Sequence, residues 1–301
     1  MEGWLSRAPS IVPPVVDAIG RSPAPPGDAW LTVVDRRGRE QFALEADRPW
    51  TPRFSPDGRR VAYGAFGEGR NTSDIWTTDL ETRTTRRITD DDDGDANDPQ
   101  WSPDGTTLAY SVNADGGKDI ALQRVSGDGA DVLESRSLVL AGTQFASDWL
   151  RDGSALLVTS SGGGGHDVVV QPADGSAARP YAATGADETA ARVSPDGRWV
   201  AYTSDESGSA EVYLDSYPTP GRRVRISSGG GLHPVWRGDG RELYYWNDGA
   251  LRAVRLREAR GGTPPEVTAR IELFRMPYHD GQNTMYDASP DGERFVIVRR
   301  R

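Results

Sequence analysis

The chain of 301 residues carries no cysteine, a formal net charge of −10, 35 Gly, 21 Pro, and 9 Trp, 10 Tyr and 6 Phe. The lack of cysteine excludes disulfides, thiolate nucleophiles and thiolate-held metals, and the acidic balance argues against nucleic acid as a partner, because phosphate binding needs a basic face. No run reaches the roughly 18 apolar residues of a membrane-spanning helix, so no membrane insertion is expected, and no long apolar pattern has a helical period.

Residues 1–27 read as an N-terminal extension or linker. The segment Ser10-Ile11-Val12-Pro13-Pro14-Val15-Val16 is too short and too broken by proline for a signal-peptide core, and Ser22-Pro23-Ala24-Pro25-Pro26-Gly27 has the composition of a semi-rigid spacer. A cytoplasmic location is expected, or a secreted or periplasmic one if a signal lies upstream. Trp30–Asp35 and Glu40–Leu44 then read as two strands joined by a turn at Arg37-Gly38.

From Phe54 onward one signal recurs. It reads Phe54-Ser55-Pro56-Asp57-Gly58, Trp101-Ser102-Pro103-Asp104-Gly105, Trp149-Leu150-Arg151-Asp152-Gly153, Val193-Ser194-Pro195-Asp196-Gly197, Trp236-Arg237-Gly238-Asp239-Gly240 and Ala288-Ser289-Pro290-Asp291-Gly292, with the glycines 47, 48, 44, 43 and 52 residues apart. Proline presets φ, Asp caps the corner, and Gly supplies the positive φ that reverses the chain. A half-buried strand follows each turn, for example Arg60-Val61-Ala62-Tyr63 and Trp199-Val200-Ala201-Tyr202. Third strands come next at Asp74–Thr77, Asp119–Leu122, Asp167–Val170, Glu211–Leu214 and Leu251–Val254. Polar fourth strands suited to a sheet edge follow at Thr85–Ile88, Arg179–Ala182 and Val224–Ser227.

The last copy, around 284–301, supplies only the first half of such a unit, and residues 28–46 supply the missing half. The expected fold is therefore an all-β, closed six-bladed β-propeller of four-stranded blades spanning residues 28–301, its last blade shared by the N- and C-terminal segments. Where Leu150-Arg151 and Arg237-Gly238 replace Ser-Pro, and where Ala288 replaces the aromatic residue, the turns are expected to be looser.

The repeated Ser-Pro-Asp-Gly turn at this period resembles the TolB-like, WD-repeat-like six-bladed propellers of bacteria. The stretches Val193–Gly208, Gly229–Trp236 and Tyr286–Gly292 look most like propellers at the C-terminus of bacterial serine/threonine protein kinases. The resemblance implies one of four roles: a docking platform or sensor, a substrate gate beside a peptidase, or a sugar-acid lyase with a metal in its central pocket. No Gly-x-Ser-x-Gly elbow is present, which removes hydrolysis by this chain itself.

A lyase of that kind would gather several His at one channel mouth. Aligning the copies three residues before the strand end gives Thr51, Asp98, Ala146, Ala190, His233 and Met285, so one His and one Asp stand there, with His279 on a long insertion nearby. The candidate ligand- or partner-binding residues are Trp50, Thr51, Asp98, His233, Trp246, Tyr278, His279 and Met285. In the acidic run Asp90–Asp98, the residues Asp91, Asp93, Asp95 and Asp98 are the candidate calcium ligands. The EF-hand order is absent, and a solvated, self-repelling loop is the competing account. No other cofactor is expected. The reading is a non-enzymatic, monomeric binding or sensor propeller that takes a protein, peptide or small ligand at the channel mouth. The alternatives are a metal-dependent carbohydrate-active enzyme or the accessory propeller of a peptidase.

Overall fold

The computed structural model describes residues 29–67, 72–89, 95–114, 117–125, 132–138, 142–162, 165–257, 263–277 and 283–300. Among them the regular elements are all strands. They are β1 (Ala29–Asp35) and β2 (Glu40–Leu44); β3 (Asp47–Phe54), β4 (Arg60–Phe66), β5 (Ser73–Asp79) and β6 (Thr85–Arg87); β7 (Ala96–Trp101), β8 (Thr107–Ala114), β9 (Gly117–Val125) and β10 (Val132–Leu138). The chain continues with β11 (Thr143–Trp149), β12 (Ala155–Gly162), β13 (Gly165–Pro172) and β14 (Arg179–Ala182), then β15 (Glu188–Val193), β16 (Trp199–Ser204), β17 (Glu211–Ser216) and β18 (Val224–Arg225). It ends with β19 (Leu232–Trp236), β20 (Glu242–Asn247), β21 (Ala250–Arg257) and β22 (Glu266–Arg275), followed by β23 (Tyr286–Ala288) and β24 (Arg294–Arg300).

β3–β6, β15–β18 and β19–β22 each form an antiparallel four-stranded sheet in sequence order. β7–β14 form one eight-stranded sheet, in which two antiparallel ladders meet at a single parallel pair, Thr143 with Lys118. The remaining sheet has the order β2-β1-β24-β23, and β1 pairs with β24 continuously from Ala29–Arg300 to Asp35–Arg294. Both ends of the described chain therefore share one sheet, which joins the last repeat to the first.

The first strand of each repeat touches the first strand of the next. Contact runs from β3 to β7, β11, β15, β19 and β23 and returns to β3. The apolar core lies in layers between neighbouring sheets. Leu31 and Val33 pack on Val61 and Tyr63 between the terminal sheet and the next, and Trp199, Leu214, Leu243 and Val254 fill the layer between β15–β18 and β19–β22. Alternation in each strand supplies one face to each of two layers, so a single strand contributes to two separate clusters.

Each repeated turn closes in the same way. Gly58 N–H donates to the Ser55 carbonyl (2.8 Å), and the Ser55 hydroxyl reaches Asp57 Oδ1 (2.5 Å) while accepting the Arg60 N–H (2.9 Å). The loosening expected at the divergent copies does not occur in the backbone. Gly153 N–H reaches the Leu150 carbonyl at 2.9 Å and Gly240 N–H reaches the Arg237 carbonyl at 2.9 Å. The reason is that Asp152 and Asp239 still accept the N–H two residues on, at 3.0 and 2.9 Å, and glycine still supplies φ near +70°. Only the serine hydroxyl bonds are lost.

Candidate functional site

The inner strands are interrupted at one place. Thr51, Asp98, Ala190 and His233 all adopt φ between +46° and +56°, and the pairing register slips at the corresponding point of β3, β7, β11, β15 and β19. A residue in the left-handed region inside a strand makes a bulge, which bends the strand and re-aims the side chains after it. The kink is tied to the neighbouring repeat by hydroxyls: Thr51 Oγ1 accepts the Asp98 N–H (3.2 Å), Ser111 Oγ that of Ala146 (3.2 Å), and Thr203 Oγ1 that of His233 (3.0 Å).

Two residues beyond the bulge, immediately before each strand end, stand Arg53, Gln100, Asp148, Arg192, Val235 and Asp287. All but Val235 make hydrogen bonds between repeats. Arg53 Nε and Arg192 Nη1 both donate to Gln100 Oε1, at 3.2 and 2.8 Å. Arg192 Nη1 also donates to the Ser147 carbonyl (2.6 Å), and Arg53 Nη1 donates to the carbonyls of Pro52 (2.7 Å) and Thr284 (3.2 Å). Asp287 Oδ2 accepts the Phe54 N–H (2.8 Å), and Asp148 Oδ2 accepts the Val193 N–H (2.9 Å). Burial pushes the Asp287 carboxyl above the usual range against the opposing pull of Arg53 and Arg192. Burial likewise raises Asp98, with Lys118, Arg53 and hydrogen bonds from Ser111 and Thr51 pulling the other way.

Beside this brace lies a small cavity of about 30 Å³, lined by Arg53, Asp98 and Arg192 together with Phe145, His166, Thr189, Asn283 and Thr284. His166 is anchored to Asp187, whose Oδ1 accepts its N–H (2.8 Å) and lies 3.0 Å from Nδ1; these bonds hold the Asp187 carboxyl below its usual range. A larger groove of about 960 Å³ runs between β15–β18 and β19–β22 on the turn side, past Trp199, Tyr217 and Trp236. Two of its arginines are paired, Arg198 with Asp196 and Arg257 with Glu266. The mouth is the candidate site because buried charges converge there.

The structure distributes the residues singled out in the sequence. Asp98 reaches the mouth. Thr51 and His233 are buried at the bulge, and the His233 carbonyl accepts the Tyr286 hydroxyl (2.8 Å). Met285 belongs to the core layer beside the terminal sheet, and half-buried Trp50 packs edge-on against Phe66 at 5.2 Å. Trp246, expected on an exposed binding surface, is only 2% exposed. It sits between Tyr286 (5.8 Å) and Phe274 (6.4 Å), because strand alternation turns it into the layer between sheets. Tyr278, His279, Asp91 and Asp93 lie outside the described residues. Asp95 is held by the Ser73 N–H (2.8 Å) and Asn113 (3.3 Å), away from the buried Asp98. Among the described residues no three His, Asp or Glu side chains are grouped to hold a metal ion.

Sequence reasoning missed Arg53, Gln100, Arg192 and Asp287. The signal was available: five of the six residues immediately before a strand end are polar, in a column set by the repeated turn.

No family model matches the chain. Its architecture is shared with solved structures. A putative TolB from Agrobacterium tumefaciens superposes with a TM-score of 0.64 at 16% identity, over 91% of this chain and 98% of that one. TolB from Acinetobacter baumannii gives 0.61 at 16% identity, over 90% of this chain and 63% of that one. The fold is a TolB-like β-propeller. The periplasmic gluconolactonase of Pseudomonas aeruginosa also matches, with a TM-score of 0.55, 18% identity and coverage of 90% and 89%. Proteins named for different roles share this propeller fold, so the role rests on the site.

Proposed function

We propose that this propeller is a non-enzymatic binding or sensor module that takes a protein, peptide or small ligand at the mouth above Arg53 and Arg192. One observation carries the reading: the bond from Arg53 and Arg192 to a shared Gln100 oxygen braces repeats far apart in the chain, beside a small cavity lined by buried charged residues. Rigid placement of a few polar groups in a concave site is what recognition needs. Six blades are part of the proposal. They follow if the eight-stranded sheet counts as two units, since its halves meet at one residue pair and its first strands β7 and β11 take successive places in the ring. The propeller is taken to span residues 28–301 after an extension of 1–27, to act as a monomer in the cytoplasm, and to be akin to the propellers of bacterial protein kinases.

The second reading is a metal-dependent carbohydrate-active enzyme. It is favoured by His166 and Asp98 facing the same cavity, and an oligogalacturonate lyase in complex with manganese matches with a TM-score of 0.50 at 15% identity. The experiment pairs a thermal-shift screen of small molecules and peptides with metal analysis by plasma mass spectrometry. Hits that disappear in a mouth-filling Thr189→Trp variant support the binding module. Stoichiometric transition metal together with cleavage of a polyuronate overturns it.

A further inference from the structure

Two of the residues lining the cavity carry a buried polar atom without a hydrogen-bond partner. One is Nε of Arg192, a residue 7% exposed; the other is Oδ2 of Asp98, a residue 3% exposed. Arg192 spends Nη1 on Gln100 and on the Ser147 carbonyl, so its opposite edge, Nε with Nη2, is the one left for a ligand. That edge carries two parallel N–H bonds and matches the two oxygens of a carboxylate. A buried guanidinium N–H without an acceptor is costly, so its position argues for an occupant.

We infer that the mouth recognises a carboxylate bearing a hydrogen-bond donor on the adjacent carbon, with the carboxylate on the free edge of Arg192 and the donor on Asp98 Oδ2. This deepens the binding reading and rests on it. Size selects the head group. The cavity is small and open on one side, about 30 Å³ of space for the centre of a water-sized sphere, so it takes a small head group whose remainder lies outside. Charge favours a monoanion, because Asp98 lines the cavity beside Arg53 and Arg192, and a dianion would face that carboxylate. The required chemistry occurs at a peptide C-terminus, where the terminal residue has its own N–H, and in free hydroxy or amino acids.

The probes are N-acetylglycine, acetate and N-acetylglycinamide at constant ionic strength, followed through the Arg192 Nε–H resonance and the melting temperature. N-acetylglycine is expected to move that resonance saturably, with acetate weaker and the amide without effect. Arg192→Lys, which keeps the charge but loses the fork, is expected to weaken binding about tenfold or more. Because Arg192 also braces Gln100, Thr189→Trp serves as a second variant that blocks the cavity and leaves the guanidinium in place. Comparing Gly-Gly-Gly with glycolate then assigns the source, a chain end or a free acid, by which one binds more tightly. Equal response to N-acetylglycinamide, or no movement of the Arg192 signal with any carboxylate, overturns the inference and leaves a bridging water on that edge. In that case, screening hits still lost in Thr189→Trp keep the broader binding reading, whereas hits indifferent to that variant remove both.

Discussion

Phe295 is the sharpest test of how the ring is held shut. It lies on β24, is fully buried, and meets Tyr244 edge-on at 5.0 Å and Phe274 at 5.9 Å, both from the preceding sheet. Phe295→Ala removes a ring that buries about 150–250 Å², worth roughly 4–6 kcal/mol as an upper bound at about 25 cal/mol per Å². Large-to-small substitutions of this type cost about 3–5 kcal/mol, so about 4 kcal/mol is expected. With an unfolding entropy of about 2.1 cal/mol/K per residue, a propeller of about 270 residues has roughly 0.6 kcal/mol/K at its midpoint, and Tm should fall by about 7 °C. Calorimetry and urea unfolding measure the loss. A cycle with Phe274→Ala should return a coupling of about 0.5–1.5 kcal/mol for the aromatic pair. A Tm within about 2 °C of the parent would refute the argument that this layer bears on closure.

Deleting residues 284–301 removes β23 and β24 from the shared sheet and should abolish the cooperative transition; a truncated chain melting like the parent would count against the closure. Ser102→Ala, which takes away bonds to Asp104 Oδ1 (2.6 Å) and the Thr107 N–H (2.9 Å), should cost about 1–2 kcal/mol by denaturant unfolding. The Ser102 hydroxyl is the main cause holding the Asp104 carboxyl below its usual range, followed by the Thr106 N–H. That turn's contribution is therefore present above about pH 3.9 and is lost as pH falls through the depressed value, and the variant should show a weaker acid dependence. Asp287 behaves in the opposite sense. Because burial raises its pKa in the folded state, its contribution is favourable at low pH and declines as pH rises from about 3.9 through the raised value. Asp287→Asn should accordingly be no less stable than the parent near pH 7, and the parent should gain on the variant as pH falls through the raised value; a variant much less stable at pH 7 contradicts this. Arg36→Ala strips Glu242 of a 2.9 Å partner and removes the donor from which the Tyr244 hydroxyl and the Gly292 carbonyl accept, and should cost about 1–3 kcal/mol in the same unfolding assay.

Much of this architecture is legible from local chemistry. A turn that needs a capping Asp and a positive-φ Gly writes itself into the chain six times, and strand alternation around it is a property of neighbouring residues. The half-unit at each end reveals their partnership because the two fragments complete one repeat, as the β1–β24 pairing bears out. Even the bulge column Thr51, Asp98, Ala190 and His233 lies at one fixed distance from the turn, although that it is a left-handed kink, with most of its side chains packed away, is not. The site depends on distances between residues far apart in the chain. Arg53, Gln100 and Arg192 are separated by 47 and 92 residues and share one oxygen only because the ring brings them to its centre. The same holds for Trp246: its residue type suits a binding surface, and only the packing of the next sheet turns it into core. Sequence by itself determined the repeating unit and its turns, since those are fixed by φ preferences and alternation within about ten residues. Tertiary structure decided which polar side chains meet at the centre, because burial and charge pairing follow from the closing of the whole ring.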